Sequence, residues 1–170
     1  MQLWEKTIFR ISDLDRETME KIRRRQDSLT KPQGSLGILE DLAVQIGGIK
    51  GEVYPELGKK AVVIMAGDHG VVEEGVSAYP QEVTAQMMKN FVQGGAAINV
   101  LARHAGADVF VVDVGVKSTD VPKTVMARKI RPGTSNIARG PAMNRSEVIR
   151  AMETGIEIVE ELYANGYQLL

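Results

Sequence analysis

Cysteine is absent from the 170 residues. That removes disulfides, thiolate nucleophiles and cysteine-ligated zinc together, and it leaves any chemistry to oxygen and nitrogen groups. Histidine occurs only as His69 and His104. Beyond Asp68, the acids near His69 are Glu73 and Glu74, without the fixed helical or hairpin spacing of a metal motif, so no metal is expected. No apolar run approaches the roughly 20 residues needed to cross a bilayer, and "MQLWEKTIFR" has no signal-peptide pattern, so the expected location is the cytoplasm, away from membranes. Neither charge sign dominates. With 21 basic and 22 acidic residues the formal net charge is −1, no field gathers a polyanion, and nucleic acid is not an expected partner. The "RRR" run at Arg23 to Arg25 is balanced by Glu17, Glu20 and Asp27 and reads as a solvated face.

What is present is a globular composition, 44% apolar and 25% charged, long enough for a real core. Ser12 can cap a helix over 13–26, and "SLGILEDLAVQIGGI" sets Leu36, Leu39, Leu42, Ala43 and Ile46 on one helical stripe that Gly47-Gly48 would end. Residues 1–58 are therefore expected to form an N-terminal helical segment. From Lys59 the period changes. "KKAVVIMAG" and "ADVFVVDVG" are short, β-branched and almost continuously apolar, as strands buried on both faces of a parallel sheet are. Helical sequence lies between them, with Pro80 suited to a first helical position, an interruption at Gly94-Gly95 and an end at Gly106.

"TVMARKI" (124–130) is a weaker third strand candidate. Asn144 and Glu147 then form a capping-box pattern that opens a long helix, with Val148, Met152, Ile156, Val159 and Leu162 expected on its buried side. "YQLL" reads as the opening of another buried strand. The expected fold is α/β, a Rossmann-like parallel sheet flanked by helices over 59–170, with the sheet incomplete at the C-terminus and the chain cut before a site.

Several stretches carry candidate chemistry. Asp68-His69 follows a buried strand, where α/β proteins place functional groups, and reads either as an acid–base pair or as a turn in which Asp68 accepts backbone N–H groups while His69 packs. "GVSAYPQEVTAQMM" offers Tyr79, Gln81, Gln86, Met87 and Met88, side chains suited to a flat organic ligand or, for methionine at helical spacing, to the core. "KPQGSLG" and "RPGTSNIARGPAM", the latter with Arg131 and Arg139, read as phosphate cradles or as plain turns.

Together, "LTKPQGSLGILEDLAVQIGGI", "MAGDHGVVEEGVSAYPQEVTAQM", "GGAAINVLARHAGADVFVVDVGV" and "RPGTSNIARGPAMNRSEVIRAMETG" resemble the N-terminal half of the nicotinate-nucleotide–dimethylbenzimidazole phosphoribosyltransferases of cobalamin biosynthesis. The resemblance implies transfer of 5-phosphoribosyl from nicotinate mononucleotide to a benzimidazole nitrogen, without metal or cofactor, by a homodimer. It implies a Rossmann-like domain with a smaller helical part to which residues 1–58 contribute. It also places 68–87 on one wall of a base pocket, with Tyr79, Gln86 and Met87 beside the ring and Asp68 and His69 counted among the pocket residues. Tyr79 stands where the family has a small hydroxyl residue. The family's glycine-rich phosphate segment and glutamate general base have no counterpart here, so no catalytic residue is assigned and the chain alone is expected to be inactive. Two other readings remain: a non-catalytic module completing its sheet with another chain, and an unrelated α/β enzyme using Asp68 and His69.

Overall fold

The two long apolar runs become the paired centre of a parallel sheet. In the computed structural model, which describes residues 1–170, strand β1 is Lys59–Gly67 and β2 is Ala107–Gly115, with helices α4 (Val83–Gln93) and α5 (Ala97–Ala105) between them. Before β1 come α1 (Leu3–Arg10), α2 (Arg16–Asp27) and α3 (Ile38–Lys50); after β2 come β3 (Met126–Ala127), α6 (Arg145–Ala164) and β4 (Tyr167–Leu169). The sheet order is β3-β2-β1-β4, all parallel. Two units divide the chain, one of Met1–Thr7 with Gly58–Leu170 and one of Ile8–Leu57. No helix is long and apolar enough to cross a membrane.

In the sheet unit, the near-continuous apolarity of β2 follows from burial on both faces. Val111 packs with Ala85 and Met88 of α4 and with Val116 and Val125. Its neighbour Val112 points the other way, among Ala61, Ile158 and Leu162, as the two-residue period of a strand requires. The capping box forms at the start of α6: Asn144 Oδ1 accepts from Glu147 N–H (2.9 Å), and Glu147 Oε2 accepts from Asn144 N–H (2.8 Å).

The helix is turned differently from the sequence expectation. Thr154, Ile158 and Leu162 are its buried residues, whereas Val148, Met152 and Val159 are exposed. Thr154 is tolerated inside because its hydroxyl donates to Arg150 C=O (2.8 Å). The third strand is also shorter than "TVMARKI" suggests. Beyond Ala127, the N–H groups of Arg128, Ile130 and Gly133 bond to the carbonyls of Asp113, Val114 and Gly115 without continuing a regular ladder. β4 lies beside the start of β1, through Lys59 and Lys60. There the Tyr167 hydroxyl donates to Asp108 Oδ2 (2.6 Å) and its ring meets Phe110 edge-on at 5.2 Å.

In the Ile8–Leu57 unit, the cap of α2 is Asp15 rather than Ser12. Its Oδ1 accepts from Thr18 N–H (3.0 Å) and its Oδ2 from the Thr18 hydroxyl (2.8 Å). A carboxylate there also faces the positive end of the helix dipole. Gly47 and Gly48 do not end α3, which runs on to Lys50 and stops at Gly51, with φ at 66°. They let two helices touch: a Cβ on Gly48 would lie 2.6 Å from Met19 Cγ, and one on Gly47 would overlap Ile22 Cδ1.

Glu40 accepts from Lys31 Nζ (2.9 Å) and from Leu36 N–H (3.0 Å), and those donors, the lysine first, hold its carboxyl below the ordinary glutamate range. Asp15 is lowered too, chiefly by the Thr18 N–H. A group with a depressed folded value stabilises the fold above its unfolded value and ceases to do so as pH falls through the folded value. Acidification below about pH 4 is therefore expected to reduce hydrogen-exchange protection at Thr18 and Leu36. In Glu40→Gln the acid response at Leu36 should shrink. Protection of both amides that does not change with pH across the acid range, in the unsubstituted chain and in Glu40→Gln alike, would contradict this account.

Candidate functional site

β1 sits between β2 and β4 although β2 and β4 follow it at different times in the chain. The strand order therefore reverses beside β1, and α/β folds place ligands at the carboxyl ends of strands near such a reversal. The register slips between Ala66 and Gly67, and the chain leaves the sheet at Asp68. Only 5% of that residue is exposed. Its N–H donates to Gly115 C=O (3.0 Å), its Oδ2 accepts from Lys117 N–H (2.7 Å), and its carbonyl accepts from Thr134 N–H (2.9 Å). Asp68 thus joins the ends of both central strands to the loop after β3.

His69 is exposed and precedes a 3₁₀ turn, Gly70–Glu74, which closes at Gly75 with φ at 69°. Beyond it the Ser77 hydroxyl donates to Tyr79 C=O (2.9 Å) and accepts from Tyr79 N–H (3.2 Å). This holds the chain before α4 as a lip. Gln81 Nε2 reaches back to His69 C=O (3.4 Å). The turn, the lip and the first turn of α4 enclose a cavity of about 460 Å³, within the range of small-molecule sites. Val71, Val72, Val76, Val83 and Met87 supply its apolar wall, and Asp68, His69, Ser77, Gln81 and Thr84 its polar edge, with Tyr79 and Pro80 at the mouth. A cleft of about 250 Å³ shares Asp68 and Gln81 with it and adds Glu82, Lys117 and Ser118.

Of the five site residues expected from the sequence, Asp68, His69, Tyr79 and Met87 line this one cavity. Gln86 does not: it is an exposed residue of α4 outside the lining. The helix explains the difference. Val83, Thr84 and Met87 share the cavity side, Ala85 and Met88 enter the core, and Gln86 lies about 100° round the axis from Met87.

Asp68 and His69 do not form a pair, since the carboxylate is engaged by Lys117 N–H and the imidazole lies on the surface. Glu73 and Glu74 face Arg139 at 3.4 and 3.2 Å, and Arg131 faces Glu147 at 3.3 Å. Both cations of "RPGTSNIARGPAM" are therefore already partnered by carboxylates. One organising residue escaped the sequence reading. Asp113, buried in β2, accepts from the N–H groups of Gly115 (3.1 Å) and Val116 (2.8 Å) and pairs with Lys129 (3.2 Å). The available signal was a lone acid within an otherwise apolar strand.

Comparison with known proteins places this geometry in context. A family model described as phosphoribosyltransferase matches residues 11–170. A nicotinate-nucleotide–dimethylbenzimidazole phosphoribosyltransferase of Acetivibrio thermocellus is 51% identical over 164 residues, which are 96% of this chain and 47% of that protein. One of Desulforudis audaxviator is 52% identical, over 99% of this chain and 48% of its own. A crystal structure of such an enzyme from Thermus thermophilus superimposes with a TM-score of 0.85 at 50% identity, covering 91% of this chain and 47% of that one. The chain spans about half the length of the curated relatives it matches. Relatives so similar, each named as a transferase, do not favour the reading as a non-catalytic module.

Proposed function

The chain belongs to the phosphoribosyltransferase family whose model spans residues 11–170, and from that premise we propose that it is the N-terminal portion of a nicotinate-nucleotide–dimethylbenzimidazole phosphoribosyltransferase. The reaction joins a benzimidazole nitrogen to C1′ of nicotinate mononucleotide. The C1′–N bond to nicotinate breaks with its electron pair leaving on the pyridine nitrogen, and α-ribazole 5′-phosphate forms once the azole loses its proton. In this reading the enzyme is a cytoplasmic homodimer, residues 1–58 belong to its small domain, and residues 59–170 begin its Rossmann-like domain.

The observation that carries the proposal is the largely apolar cavity at the carboxyl end of β1. Burying a flat, weakly polar ring system is favourable there, while a few polar groups at one edge can set its orientation. Met87 and the valines offer contact to the ring faces, Tyr79 covers the mouth, and Asp68 and His69 stand at the polar edge; Gln86 would have to reach the base from outside the lining. The one carboxylate lining the cavity, Asp68, already accepts a backbone N–H. This chain is therefore assigned the binding of the base, and none of its residues the removal of the azole proton.

Titration calorimetry with 5,6-dimethylbenzimidazole is expected to show saturable binding to the chain. Imidazole, which lacks the fused apolar ring and its methyl groups, should bind about 10- to 100-fold more weakly. Equal affinity for the two, or no saturable binding of either, would count against the proposal.

A further inference from the structure

The 3₁₀ turn that carries Val71 and Val72 into the cavity also carries Glu73 and Glu74 away from it. The turn is a short 3₁₀ run, Gly70–Glu74, supported from within by i→i+3 bonds. Val72 N–H to His69 C=O (3.2 Å) and Gly75 N–H to Val72 C=O (3.0 Å) tie its two ends to the flanking chain, and 3₁₀ runs of this length have poorer hydrogen-bond geometry than an α-helix. Further support comes from side chains 62 and 65 residues later. Arg139 Nε and Nη2 both lie 3.2 Å from Glu74 Oε1, Arg139 Nη1 lies 3.4 Å from Glu73 Oε2, and Asn136 Nδ2 donates to Glu74 Oε1 at 2.6 Å.

The base of this clamp is set by backbone groups and the Thr134 hydroxyl. Gly70 N–H donates to Thr134 Oγ1 (3.3 Å), Thr134 N–H to Asp68 C=O (2.9 Å), and Ser135 N–H to Ala142 C=O (2.9 Å), which closes the loop on itself. Gly70 packs so closely that a Cβ there would lie 2.6 Å from Asn136 N and 2.7 Å from Thr134 O.

Resting on the reading of the cavity as a base site, we infer that Arg139 is a positioning residue: through Glu73 and Glu74 it holds the 3₁₀ turn so that Val71 and Val72 face the bound ring. It touches no ligand itself. The side chains are exposed, 67% for Arg139 against 56% and 37% for the two glutamates. A single exposed pair contributes little, but one guanidinium shared by two carboxylates, with an amide on the same oxygen, forms a network whose members order one another.

The test combines exchange at the amides of Val72 and Gly75 with affinity for 5,6-dimethylbenzimidazole, on the full 170-residue chain. Arg139→Ala should speed exchange at both amides and weaken binding about three- to five-fold, with exchange in the β1–β2 ladder unchanged. Arg139→Lys, which keeps the charge and loses the fork, should recover part of each effect. Gly70→Ala, which forces the turn off the loop, should weaken binding about ten-fold. Unaltered exchange at Val72 and Gly75 in Arg139→Ala overturns the clamp, and faster exchange with unaltered affinity overturns its positioning role. If the unsubstituted chain binds no base, the cavity reading fails and the positioning role falls with it, while exchange still decides whether Arg139 holds the turn.

Discussion

Met88→Ala is expected to destabilise the protein by about 3 kcal/mol, while the same change one residue earlier, Met87→Ala, costs under about 1 kcal/mol. The adjacent methionines serve different ends. Met88 is fully buried, packed among Ala85, Val111, Val116 and Val125, where removing its thioether leaves a void that rigid strand neighbours cannot fill. Met87 is 36% exposed and lines the cavity, so its loss removes contact from a ligand rather than from the core. Urea unfolding of the two variants checks the first statement, and dimethylbenzimidazole affinity the second, with Met87→Ala expected to bind several-fold more weakly. Equal midpoints for the two variants would show that α4 is rotated from the position described.

Asp113→Ala is expected to cost about 3 kcal/mol, because it strips the acceptor from two backbone N–H groups and leaves the Lys129 ammonium without its carboxylate. Asp113→Asn keeps an oxygen for Gly115 and Val116 but turns an amide NH2 toward the Lys129 ammonium in place of the carboxylate oxygen, so it should cost less than the alanine change, about 2 kcal/mol. Thermal unfolding distinguishes the two. Because Asp113 also shapes the turn from which Lys117 N–H reaches Asp68, the alanine variant should weaken base binding as well. A small effect of Asp113→Ala on stability would mean that the end of β2 is held by something else.

The strands were legible because their signal is local. "KKAVVIMAG" and "ADVFVVDVG" are short, β-branched and apolar at consecutive positions, a pattern that fits a strand better than a helix at that length, and both appear with those bounds, although only β2 is closely covered on both faces and Met65 of β1 is 43% exposed. Asn144 with Glu147 was legible for the same reason, since a capping box lies within four residues. Where the outcome depended on partners distant in sequence, the reading was poorer. Gly47-Gly48 carries the same letters as a helix stop but serves close helix packing against Met19 and Ile22, and α1 carried no capping signal. The buried side of α6 is set by where Ala61 and Val112 lie, not by which of its residues are most apolar.

The site divides along the same line. That something should gather after β1 follows from the strand itself, and Asp68, His69, Tyr79 and Met87 do gather there. Gln86 and Met87 cannot be told apart by composition, because only the phase of α4 decides which faces the cavity. The Arg139 clamp was invisible in principle, since nothing in "VVEE" or "NIARG" indicates that segments more than 60 residues apart meet.

The most direct test follows the methionine methyl groups by nuclear magnetic resonance as 5,6-dimethylbenzimidazole is added. A ring seated in the cavity at the end of β1 should shift the Met87 methyl strongly and saturably through its ring current, and leave Met88 nearly unmoved. Saturable binding with Met87 unperturbed, or shifts concentrated at methionines remote from the cavity such as Met1 or Met126, would place the base elsewhere and contradict the assignment of this site.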